Sequence, residues 1–180
     1  MPDHRELVHT TLVLGGARSG KSRYAEGLIT ALPPPWNPPW VYVATAEPGD
    51  DEMRARIAVH RARRGSQWQT VEAPHDIAAA IALAQSKPAL IDCLTLWLSN
   101  LMLAGNDVDA EIARLERALA AAVAPVVLVA NEVGSGIVPD NALGRTFRDL
   151  QGTLNQRIAA RADRVVFMVA GLPLAVKGTL

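Results

Sequence analysis

Apolar runs of strand length recur along the chain. "TLVLGG" begins at Thr11, "WVYVATA" at Trp40, "PALIDCL" at Pro88, "PVVLVANEVG" at Pro125 and "DRVVFMVAG" at Asp163. They are rich in β-branched residues and continuous rather than alternating, the pattern of strands buried on both faces of a parallel sheet. "WQTVEA", from Trp68, is a shorter and weaker strand. Helical periodicity fills the intervals near 20–31, 50–64, 75–86, 107–123 and 140–161, with a shorter stretch near 94–104. Strand and helix in alternation predict an α/β fold with crossover connections. There is no internal repeat and no compositional break, so 1–180 reads as a single domain. The proline-rich "PPPWNPPW" (33–40) reads as a stiff connector into the second strand, with a partner-binding loop as the alternative.

Composition narrows the chemistry. A chain of 180 residues is long enough for one sizeable core. Lysine plus arginine and aspartate plus glutamate both number 18, so no global field recruits nucleic acid and any anion site must be local. Cys93 is the only cysteine, which excludes an intramolecular disulfide and a multi-cysteine zinc site. Directly after an apolar run, it reads as a buried, inert thiol. "MPDHRELVHT" has no apolar segment of signal-peptide length, and no stretch reaches the 18 or so apolar residues of a membrane span. The expectation is a cytosolic protein.

"GGARSGKS" lies between the strand "TLVL" and the helical "RYAEGLI". This is G-x-x-x-x-G-K-S in the strand–loop–helix setting that a phosphate loop requires. Gly15 and Gly20 permit the tight turn, and Gly16, Ala17, Arg18 and Ser19 supply backbone N–H groups between them. The helix dipole strengthens that anion site. Lys21 reaches for β- and γ-phosphates, and the Ser22 hydroxyl is suited to Mg²⁺. The predicted fold is therefore a P-loop NTPase of the RecA-like kind, a mostly parallel sheet flanked by helices that binds a nucleoside triphosphate. Magnesium also calls for an acid at the end of a neighbouring strand, and Asp92 of "ALIDC" supplies it while remaining compatible with an N-cap. Glu132 closes another apolar strand, where it could activate water, pair with Lys21 or cap a turn.

"RIAVHRARRG" sets His60 among Arg56, Arg61, Arg63 and Arg64. Asp50 is a good N-cap, Asp51 and Glu52 suit a first turn, and the arginines complement the dipole before Gly65. At 100° per residue His60 falls between Met53 and Ile57 on one side and Glu52, Arg56 and Arg63 on the other. One reading is a half-buried histidine beside surface arginines. The other is a nucleophilic imidazole, with guanidinium groups holding a polyphosphate whose phosphorus it attacks. Arginine density also suits RNA, but the balanced charge and the lack of interleaved aromatics oppose that.

Together these stretches resemble one family, the bifunctional adenosylcobinamide kinase/adenosylcobinamide-phosphate guanylyltransferases of cobalamin assembly. The resemblance runs through "LVLGGARSGKSRYAE", "VYVATAE…DDEMRARIAVHRARR", "WQTVEAP", "LIDCLTLWLSNLM", "NEVGSGIVPDNALGRTFRDLQGTLNQRIAARADRV" and "GLPLAVKG". It implies phosphorylation of the adenosylcobinamide hydroxyl with ATP or GTP, then transfer of GMP from GTP through a histidine–GMP phosphoramidate. The implied GMP-bearing residue is His60. The implied nucleotide contacts are Gly15 through Ser22, Ala44, Thr45 and Ala46, Arg61, Ala62, Arg63 and Arg64, Glu72 and Asp92, with Mg²⁺ at Ser22 and Asp92. A homotrimer is implied as well. Some members carry a histidine or polar residue where this chain has Val59, and some carry Glu where it has Asp92, a change of reach but not of charge. Arginine charge near His60 would favour its neutral, nucleophilic form. The alternatives are a transferase-only member, a P-loop kinase for another alcohol, and a RecA-like ATPase in which Glu132 activates water.

Overall fold

The computed structural model describes residues 8–47, 49, 51, 54, 58 and 65–180. Within them, β1 (Thr10–Gly15) leads through the glycine loop into α1 (Lys21–Thr30), and β2 (Trp40–Ala44) follows the proline-rich connector. A 3₁₀ turn (Gly65–Gln67) precedes β3 (Trp68–Glu72), α2 (Ile77–Ala84), β4 (Ala89–Asp92), α3 (Leu94–Leu103) and α4 (Val108–Ala121). β5 (Val126–Asn131), α5 (Ala142–Arg161), β6 (Arg164–Val169) and β7 (Leu172–Lys177) complete the order. The helix expected over 50–64 falls largely outside the described residues, of which Asp51, Arg54 and Ala58 are helical.

The seven strands form one sheet in the order β3-β2-β4-β5-β1-β6-β7. Every pairing is parallel except β6 with β7. Continuous apolar strands are needed because both faces are covered. Leu12, Ile91 and Leu128 point to the side packed by α2, α3, α4 and α5, while their neighbours Val13, Leu90 and Val129 point to the side packed by α1. Helix starts follow side-chain chemistry. The carboxylates of Asp76 and Asp107 and the amide oxygen of Asn141 accept the N–H groups of Ala79, Ala110 and Gly144 at 2.9, 3.0 and 2.7 Å.

β7 is the element that the apolar pattern does not predict. Its larger residues Leu172, Leu174 and Val176 are exposed, reversing the usual alternation, and it contains Pro173, which a sheet tolerates at an edge. Ala170 and Gly171, with φ of 51° and 82°, make the two-residue turn that joins it to β6. α3 is core: Leu94, Trp97, Leu98 and Leu101 are at most 1 % exposed. Cys93 is buried, as its place after the apolar run requires.

Candidate nucleotide site

The site is assembled at the C-terminal ends of the parallel strands, where open α/β sheets take their ligands. Gly15 closes β1 between Asn131 and Met168. A Cβ there would stand 2.6 Å from Ser19 Oγ and 2.9 Å from the Met168 carbonyl, so only glycine fits. Gly20 holds φ of 91°, in the left-handed region that favours glycine, and α1 begins at the next residue. The first turn of α1 therefore presents N–H groups without intrahelical acceptors directly after the loop. Gly171, at the tip of the β6–β7 turn, donates its N–H to the Ser19 carbonyl at 3.2 Å, bracing the loop from a strand that sequence reading missed.

Lys21 is buried and donates Nζ to the Gly16 carbonyl at 2.8 Å. Burial lowers its pKa, while Cys93 and Asp92 oppose that shift. The Cys93 thiol is itself pushed up to about 11 by burial, so at neutral pH it carries no charge to offset the desolvation of Lys21. Ser19 Oγ is buried without a hydrogen-bond partner among the described residues. Glu132 caps a turn by accepting the Gly134 N–H at 2.6 Å, whereas Lys21 is held by Gly16.

Register brings residues distant in sequence side by side. Ala44 pairs with Glu72 on one flank and Asp92 on the other. β4 is not adjacent to β1, because β5 lies between them. Tyr42, buried in β2, donates its hydroxyl to Asp92 Oδ2 at 2.7 Å and so fixes the carboxylate. Thr45 is fully buried, and its hydroxyl both donates to the Cys93 carbonyl and accepts the Cys93 N–H at 2.8 Å, tying the end of β2 to the start of α3. Neither tie has a local signal, since each joins residues about 50 positions apart. His60, Arg61, Ala62, Arg63 and Arg64 lie outside the described residues.

A phosphate loop after β1, an inserted strand and a carboxylate ending the next strand over define a P-loop nucleotide-binding protein of RecA-like architecture. A KaiC-like protein from Pyrococcus horikoshii shares that fold, with a TM-score of 0.51 and 16 % identity over 88 % of this chain and 70 % of that one. The chain belongs to the cobinamide kinase/cobinamide phosphate guanyltransferase family, which it matches over residues 11–176. It is 46 % identical over 171 residues to the bifunctional adenosylcobalamin biosynthesis protein CobP of Pseudomonas aeruginosa, covering 93 % of this chain and 96 % of the relative. It is 43 % identical to CobU of Salmonella typhimurium over 183 residues, covering 92 % and 98 %.

Proposed function

We propose that the protein phosphorylates adenosylcobinamide with ATP or GTP and then transfers GMP from GTP to the product, giving adenosylcobinamide-GDP. The observation that carries this reading is the glycine-bounded loop with a buried lysine, Gly15–Ser22, in a chain of this family. In the kinase step, backbone N–H groups from Gly16 to Ser22 and the Lys21 ammonium hold the β- and γ-phosphates in line with the attacking hydroxyl. In the transferase step, a neutral His60 nitrogen attacks the α-phosphorus, forming a P–N bond as the bond to pyrophosphate breaks. An oxygen of adenosylcobinamide phosphate then attacks the same phosphorus and releases the imidazole. Arg61, Arg63 and Arg64 offset charge on the departing pyrophosphate. Ala44, Thr45, Ala46 and Glu72 contact the nucleotide.

Asp92 and Ser22 offer hard oxygen donors, and no cluster of three acidic, histidine or cysteine ligands occurs among the described residues. That donor set fits Mg²⁺, which takes one carboxylate and completes its shell with phosphate and water oxygens. When bound, the ion supplies neutralisation of phosphate charge. Asp92, its carboxylate fixed by the Tyr42 hydroxyl, and Ser22 are the residues that would hold it. No helix among the described residues is long and apolar enough to cross a membrane. The nucleotide substrates fit a cytoplasmic enzyme, and the family resemblance supports a homotrimer.

GTP labelled at the α-phosphate, incubated with Mg²⁺ and protein and then denatured, tests the assignment. Label that survives alkali, is lost in acid and is absent from His60→Ala is the expected result. An active kinase that takes no label would reduce the protein to a P-loop kinase.

A further inference from the structure

Asn100, on α3, has no part in the roles above, yet its side chain joins two loops of the site. Its Nδ2 donates to the Thr45 carbonyl at 2.8 Å and to the Pro74 carbonyl at 3.0 Å. Those carbonyls end the adjacent strands β2 and β3, one residue and two residues beyond the paired Ala44 and Glu72. Neither the Thr45–Ala46 nor the Pro74–His75 peptide is cis. In a trans peptide the C=O and N–H point in opposite directions. Drawing both carbonyls to Asn100 therefore turns the Ala46 and His75 N–H groups away from α3, and neither has a hydrogen-bond partner among the described residues.

Position decides what such donors can meet. β2 lies three strand spacings from β1, roughly 14 Å from the phosphate loop, because β4 and β5 intervene. Phosphates gripped by Gly16–Ser22 would not extend that far, so with the nucleotide contact proposed at Ala44–Ala46 these donors would face the base of the same nucleotide, or a guanylyl group held for transfer. Two neighbouring donors match adjacent acceptors. Guanine carries O6 and N7 acceptors side by side, whereas adenine carries an N6 amino donor beside N7.

We propose that Asn100 is a positioning residue for guanine selection, holding the Ala46 and His75 N–H groups toward the O6/N7 edge of the base. The inference rests on the nucleotide contact proposed at Ala44–Ala46. It gives a physical reason why GMP transfer demands GTP when the phosphate loop alone cannot tell two triphosphates apart.

Asn100→Asp and Asn100→Leu keep the branched side-chain shape and remove both donors. Equilibrium binding of GTP, ITP and ATP to each protein is the test, with thermal melting alongside. The expected result is about tenfold weaker binding of GTP and ITP, which share O6 and N7, with ATP unchanged. Trp97→Phe is the control: it removes one bond, from Nε1 to the His75 carbonyl (2.8 Å), while leaving Asn100 in place, and should leave the GTP-to-ATP ratio as in wild type. Equal losses for all three nucleotides, in step with melting temperature, would show a purely structural role and overturn the proposal. So would folded variants with unchanged GTP affinity. Failure of the wild type to take label from GTP would overturn the transferase reading instead, since the binding ratios are measured without turnover.

Discussion

At the residue scale the loop makes unequal demands on its glycines. Gly15 has no room for a methyl group, while nothing lies within 4 Å of a Cβ placed on Gly16. Gly15→Ala should therefore cost about 1–3 kcal/mol through overpacking, and Gly16→Ala should leave denaturant midpoints unchanged. Lys21 makes a different case. Its stem is buried beneath the loop and its ammonium is costly to desolvate, which is why burial lowers its pKa. Lys21→Met keeps the stem and removes the charge. Nucleotide binding should weaken by roughly ten- to a hundredfold, the worth of a lost charge-assisted hydrogen bond, while thermal stability holds or rises. Isothermal titration with GTP, alongside a melting curve, separates these two effects.

Elements show where sequence reading succeeds and where it stops. β1, β2, β4, β5 and β6 are legible because a strand covered on both faces must be apolar throughout, and "TLVLG" or "VVLVAN" has few other uses. The phosphate loop is legible for a related reason: steric limits and the anion together dictate its glycines and lysine. β7 is not, since an exposed edge strand is held by its ladder and turn rather than by its side chains. The alignment of Glu72, Ala44 and Asp92 is hidden too, because register is a property of the closed sheet. β7 still matters to the site. Gly171 requires φ of 82° to pass its N–H to Ser19. A valine there would force the turn to shift, so Gly171→Val should lower GTP affinity several-fold, with a destabilisation of only about 1–2 kcal/mol. A melting loss well beyond that, with affinity intact, would mean that the hairpin tip serves the fold alone.

At the scale of the whole molecule, carboxylates knit the helices on one side of the sheet, Asp109 of α4 pairing with Arg157 of α5 at 3.2 Å beside two others. Asp76 caps α2 through the Ala79 N–H and reaches Arg114 of α4, at 3.0 Å. Glu116 of α4 receives Arg157 at 2.8 Å and Arg161 at 3.3 Å, both from α5. The backbone N–H of Ala79, followed by Arg114, holds the Asp76 carboxyl below its ordinary 3.8, and the Arg157 hydrogen bond holds Glu116 below 4.5. A carboxyl whose pKa is depressed by folding contributes stability that is complete above its unfolded value and disappears as pH falls through the folded one. Melting temperature should therefore be level near neutrality and decline below about pH 4.5 as these groups protonate. Asp76→Asn retains the cap and Glu116→Gln retains the shape, but neither can titrate. The double variant should be less stable than wild type at pH 7 and should lose less on acidification, so that the two melting curves converge. Parallel curves would mean that these helices are joined by apolar packing alone, with acid sensitivity arising elsewhere in the chain.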